Sequence, residues 1–146
     1  MTEPVVPHEV TVRRTIAATP DALYRAWTEP DLLARWFGTV VSADVRVGGR
    51  YRVEIHESDG TVNGFVGEYL TLDPPHTVAF TFTHIAQTEA DRISDETVTV
   101  TFTPGDPGHT ELVLVNAWTG PATDPSYYQA IQDGFGVWLD LLEKIL

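Results

Sequence analysis

The C-terminal end of the chain carries the pattern that most restricts its fold. Ile131, Phe135, Trp138, Leu142 and Ile145 recur at i, i+4, i+7, i+11 and i+14, a single apolar stripe along one long helix, with Leu139 and Leu141 flanking it. Asp124 and Pro125 open that helix. The aspartate can accept from the first free backbone N–H groups, and proline already holds a helical φ at the first position. Lys144 suits the negative end of the helix dipole. A stripe of this length has to be covered, and the rest of the chain offers one large partner for it, a set of half-apolar strands.

Those strands read by alternation. Thr11 to Ile16 is a first strand, preceded by a polar, proline-bearing segment, residues 1–9, expected to be a flexible lead-in. Thr19-Pro20-Asp21 is a helix start, followed by Leu23, Ala26 and Trp27 at helical spacing. Glu29-Pro30-Asp31 repeats the signal, and Leu33, Trp36 and Phe37 follow, so two short helices stand in tandem. Val40 to Val47 alternates up to a Gly48-Gly49 turn, and Tyr51, Val53 and Ile55 form the apolar side of the next strand. Ser58-Asp59-Gly60 turns the chain into a strand over Phe65 to Leu72, and Asp73-Pro74-Pro75 closes it. Val78, Phe80 and Phe82 alternate next, Ala86 to Ser94 is a polar loop, and Val98, Val100 and Phe102 alternate with threonines. Asp106-Pro107-Gly108 then sends Leu112 to Trp118 back. Strand, two helices, strands at hairpin spacing and a final helix give an α+β fold. A curved antiparallel sheet of about six or seven strands wraps the C-terminal helix.

The 146 residues fit one domain, 1–146, long enough to bury a core without a staple. There is no cysteine, which removes disulfides, thiolate zinc sites and thiol nucleophiles from consideration. A net charge of −12 repels nucleic acid and anionic lipid, so neither is expected as a partner. No apolar run reaches the ~20 residues of a membrane span, and no leader-like N-terminus is visible, so the chain is expected in the cytoplasm. A homodimer stays open. His8, His56, His76, His84 and His109 form no metal-ligand spacing, and no phosphate loop, dinucleotide fingerprint or nucleophile elbow is present. No metal, cofactor or catalytic residue is expected.

Rings converge on the interior side of this arrangement. The residues expected to line it are Trp36, Tyr51, Val53, Phe65, Tyr69, Phe80, Phe82, His84, Val100, Trp118, Gly134, Phe135 and Trp138, with Trp27 beside them. Such rings either wall a ligand cavity whose few polar tips fix a guest, or simply fill the core, and the sequence leaves both open. Gly134, near the edge of the stripe, either lets the sheet approach or leaves room for a ligand. Gly136 points to the other side of the helix. A surface or edge role is expected for each of the five histidines, and His84, which continues the alternation of Phe80 and Phe82, is the one best placed to face inward. His56 and His84 are placed to meet across the sheet, and a Glu68–His84 acid–base pair is conceivable. Exposure on the outer side is the simpler reading for Glu68, Glu54 and Arg52.

Ala22 to Trp27, Glu29-Pro30, Leu33-Ala34-Arg35-Trp36-Phe37, Val45-Arg46-Val47-Gly48-Gly49-Arg50-Tyr51, Phe65-Val66-Gly67-Glu68 and Asp73-Pro74-Pro75 together resemble a known family. It is the START-like, helix-grip superfamily (SRPBCC), in the branch of homologues of the activator of the heat-shock chaperone ATPase. The resemblance covers Val10 to Leu146. It implies a sheet–helix cavity holding a small, largely apolar molecule such as a lipid, sterol or polyketide. As alternatives it implies cyclase- or dehydratase-type chemistry in that cavity, or a chaperone-associated, stress-related interaction module. The chain departs from the family pattern in its last helix. Relatives carry Gly-Trp, a small or polar residue and Leu there, whereas this chain reads Gly134-Phe135-Gly136-Val137-Trp138-Leu139.

Overall fold

The computed structural model describes residues 4–146. The elements run β1 (Val5–Ile16), α1 (Pro20–Thr28), α2 (Pro30–Leu33), β2 (Thr39–Ala43), β3 (Arg50–His56), β4 (Val62–Asp73), β5 (Thr77–Thr81), β6 (Thr83–His84), a 3-10 turn at Glu89–Asp91, β7 (Ser94–Pro104), β8 (Thr110–Pro121) and α3 (Pro125–Ile145). All pairings are antiparallel, in the order β1-β8-β7-β5-β4-β3-β2, with β6 paired to β4. The sheet is curved and the fold is α+β, as the alternation implies. Register shifts interrupt β2, β4 and β7, and such bulges bend the strands that carry them.

Caps fix where the helices begin. The Thr19 hydroxyl accepts from the Ala22 N–H at 3.2 Å, and the Asp124 carboxylate accepts from the Ser126 N–H at 3.0 Å. On the inner face of the sheet, Val78, Val98, Val100, Phe102, Leu112 and Leu114 are fully buried beneath Leu23 of α1 and Leu139 and Leu142 of α3.

Several local expectations change. The lead-in expected to be flexible is strand from Val5 onward, paired to β8 as far as Pro121; residues 1–3 lie outside the described residues. The second helix is a single turn, and Trp36 and Phe37 sit in the turn after it. The strand expected up to Val47 stops at Ala43, leaving Val45 and Val47 exposed. A side chain at Gly49 would collide with the Asp44 carbonyl, so glycine lets this loop fold back on itself. Leu139 is a buried centre of the helix stripe rather than a flank, whereas Leu141 is exposed.

Polar clamps set the seat of α3. Arg14 of β1 donates to Asp140 at 2.7 Å, to Glu143 at 3.0 Å and to the Gly136 carbonyl at 3.4 Å. Gly136 thus belongs to the β1 side of the helix. His8, also on β1, is buried against Trp118, with ring centroids 5.0 Å apart and near-parallel planes. Its Nε2–H donates to the Pro121 carbonyl at 2.9 Å, which leaves Nδ1 to accept from the Tyr128 hydroxyl of α3. The most buried histidine is therefore His8, which the sequence places at the surface. With α3 held along β1, the space on its other side faces β4, β6 and the start of β7.

Candidate functional site

Two hollows lie between the sheet and the helices. The first is lined by Trp27, Leu33, Phe37, Val40, Ala43, Tyr51, Val53, Tyr69 and Phe80 and holds only about 20 Å³. Rings close it. Trp27 and Trp36 meet edge to face at 4.6 Å, Trp36 and Phe37 at 5.2 Å, and Tyr51 and Phe80 at 5.5 Å. The Trp36 indole donates to the Ala26 carbonyl at 3.0 Å and the Tyr51 hydroxyl to the Thr81 carbonyl at 2.7 Å, so both polar tips are spent on backbone. Burial pushes the Tyr51 hydroxyl far up and that of Tyr69 up to about 12, so neither ionises near neutrality.

The second hollow holds about 180 Å³ and lies between the inner face of β4–β8 and the free side of α3. Its lining is Phe65, Phe82, His84, Glu96, Asn116, Tyr127, Ile131, Gly134, Phe135 and Trp138. Phe65 and Phe82 stack at 4.0 Å, and Trp138 stands edge-on to Phe65 at 5.3 Å. Phe37 touches Trp138 at 4.6 Å and forms the wall between the two hollows. A Cβ added at Gly134 would meet nothing within 4 Å, so this glycine opens space and does not serve close backbone packing.

The expected lining residues therefore separate. Phe65, Phe82, His84, Gly134, Phe135 and Trp138 border the larger hollow. Tyr51, Val53, Tyr69 and Phe80 border the small one, while Trp36 and Val100 are buried core and line neither. Trp118 lines a separate cleft with Asp91, Ile93 and Tyr127 at the start of α3.

One end of the larger hollow is polar. Asn116, 2% exposed, donates to the Glu96 carboxylate at 3.0 Å and to the Thr97 carbonyl at 3.1 Å. Among the described residues Asn116 is the one hydrogen-bond partner of the Glu96 side chain. Burial raises the Glu96 carboxyl above its ordinary range, and the Asn116 bond opposes this only in part. His84 is an exposed residue, yet its ring lies against Phe65 and Phe82, at 4.6 and 5.6 Å. That cover lowers its pKa, with Asp91 pulling weakly the other way, and favours neutral imidazole at pH 7. Tyr127 is raised by burial and by the nearby charges of Glu96 and Asp91.

Glu96 and Asn116 were not expected at the site, although the signal was present. Glu96 extends the inward series Val98, Val100 and Phe102, and Asn116 stands between the inward Leu114 and Trp118. Their polarity hid them. Two anticipated pairs do not form. His84 sits opposite Phe65 and His56 opposite Val62, so the two histidines do not meet. Glu68 is exposed and lines a groove with Arg50, Arg52 and Thr83, away from the hollow that His84 borders, so the acid sharing His84's hollow is Glu96. Arg52 pairs with Glu54 at 2.8 Å, and Glu54 with His56 at 3.0 Å. No group of three or more His, Asp or Glu among the described residues is placed to hold a metal. No helix among them is long and apolar enough to cross a membrane.

No curated protein matches the chain. Solved structures do. The chain is similar to the protein of unknown function SA2116 from Staphylococcus aureus, at 23% identity and a TM-score of 0.81, covering 97% of this chain and 94% of that one. It is similar to protein CV1439 from Chromobacterium violaceum, at 26% identity and a TM-score of 0.78, covering 94% and 95%. Protein MLL2253 from Mesorhizobium loti matches at 27% identity and a TM-score of 0.71, again over 94% and 95%. The family model described as activator of Hsp90 ATPase homolog 1-like protein matches residues 17–146. With nearly its whole length matched, the chain belongs to the family of activator of Hsp90 ATPase homolog 1-like proteins.

Proposed function

We propose that the chain binds a small, mainly apolar molecule in the hollow between Phe65, Phe82, Phe135 and Trp138. The observation that carries this reading is the ring-walled space of about 180 Å³ with one polar end. Its lining residues His84, Tyr127 and Gly134 are exposed, so the hollow opens to solvent, and a guest seated in it would shield the ring surfaces from water. An apolar cavity of about 150 Å³ accommodates benzene. The part of a guest that this hollow encloses is therefore about one ring with a short arm. A thermal-melting screen over single-ring and multi-ring apolar compounds tests the reading. Saturable stabilisation by single-ring compounds is expected, and a screen with no saturable shift contradicts it.

A second reading, acid–base chemistry in the same hollow, is favoured by one feature, a carboxyl of raised pKa beside a histidine of lowered pKa. Under that reading a bound compound is consumed under catalytic amounts of protein, and chromatography of the incubated mixture separates the two. A chaperone-linked role has only the family name behind it.

A further inference from the structure

Glu96 is the feature of the hollow that a purely apolar guest leaves unexplained. Its carboxyl group stands at the end of a ring-walled space, and Asn116 alone satisfies one of its oxygens among the described residues. Glu96 is half-buried and its second oxygen is open to the hollow, so a guest that shields this oxygen has to partner it, because desolvating a carboxylate without an opposite charge or hydrogen bonds is costly. The other polar groups bordering the hollow do not compensate. His84 is held toward its neutral form and Tyr127 is a phenol, while Asp91, which lies outside the lining but acts on both, is itself an acid. Asn116 has committed both amide hydrogens, one to Glu96 and one to the Thr97 carbonyl.

We propose that the hollow is built for a single-ring amine, its ring among Phe65, Phe82, Phe135 and Trp138 and its ammonium on the free oxygen of Glu96. The proposal rests on the binding reading above and names the ligand class. Three properties of the site converge on that class. An ammonium supplies the missing charge partner and donates to the unused oxygen, a charge-assisted bond stronger than one between neutral groups. Ring faces attract a cation within about 6 Å, so the walls favour the charged arm as well as the apolar ring. The chain's net charge of −12 raises the local concentration of cations and lowers that of anions. A ligand carboxylate would bring a second negative charge to Glu96 and Asp91 and is disfavoured for the same reasons.

The experiment compares 2-phenylethylamine, 2-phenylethanol and phenylacetate, three guests of similar shape, by calorimetric titration of the full chain at pH 7. The amine is expected to bind at least tenfold more tightly than the alcohol, and phenylacetate more weakly than either. Glu96→Gln keeps an acceptor for Asn116 and removes the charge. It is expected to abolish the tenfold preference, so that the amine and the alcohol bind alike. Equal or tighter binding of the alcohol or the acid to the native chain overturns the amine assignment and leaves the cavity reading standing. No saturable heat with any of the three overturns both. A preference for the amine that survives in Glu96→Gln, with the variant's native melting intact, places the ammonium elsewhere and overturns the role of Glu96.

Discussion

The two ends of the space between sheet and helices are built from the same residue types and come out differently. Both are rich in rings, and Phe37 touches both. At the α1–α2 end, two tryptophans and a phenylalanine are delivered by a helix and a tight turn directly onto β3–β5, and about 20 Å³ remains. At the other end the covering element is α3, tied down on its far side by Arg14 and His8 of β1. There the helix presents Gly134 where a large side chain would fill the gap, and about 180 Å³ remains. Aromatic content alone therefore does not decide between core and cavity. What decides is how closely the covering backbone is brought in, and whether a side chain or a glycine faces the gap.

The largest effect is expected at the filled end. Phe80→Ala removes a buried ring from a space with no slack, and a loss of about 3–5 kcal/mol is expected in urea unfolding. Trp138→Ala removes a half-buried ring beside an existing hollow and is expected to cost below about 2 kcal/mol while weakening binding of 2-phenylethylamine tenfold or more. If the two variants lose equal stability, the two ends are not different in kind.

A smaller effect sharpens the role of the helix. Gly134→Leu meets open space, so it is expected to gain up to about 1 kcal/mol from helix propensity while blocking the amine. Loss of stability in the ligand-free variant would mean that the sheet approaches the helix more closely than described. The smallest effect is a slope. The folded-state pKa of Glu96 is raised, so the folded chain holds this proton more tightly than the unfolded one. Its contribution to stability is present at acid pH and is lost as pH rises from the ordinary value of 4.5 through the raised one. His84, lowered by burial, acts in the opposite sense and costs stability as pH falls through 6.5. Glu96→Gln is therefore expected to remove a fall in stability between pH 4.5 and neutrality. Denaturation midpoints across that range check it, and an unchanged slope would show that the carboxyl is well hydrated.

Much of the architecture is legible in the sequence because it rests on local rules. The stripe from Ile131 to Ile145, the caps at Thr19 and Asp124 and the alternation from Val98 to Phe102 each specify an element without reference to the others. The seat of α3 is not legible in this way. It depends on Arg14 reaching residues more than 120 positions away, and on His8 reaching Tyr128 across a comparable span. The end of β2 at Ala43 is likewise invisible, since Val45 and Val47 continue the alternation and only the loop built on Gly49 takes them out of the sheet. At the site, reading inward faces from apolar residues alone passes over Glu96 and Asn116. Extending the alternation without regard to polarity places both inside, and a polar residue on an inward face is where a ligand's polar end would sit.

The most direct test follows the indole N–H signals of the four tryptophans in a nuclear magnetic resonance titration with 2-phenylethylamine. Trp138 borders the open hollow, Trp118 lies at the neighbouring cleft, and Trp27 and Trp36 belong to the filled end. Binding in the open hollow shifts the Trp138 signal saturably together with the Gly134 amide and leaves the signals of Trp27 and Trp36 unmoved. No saturable shift of Trp138, or a larger one at Trp27 and Trp36, would contradict it.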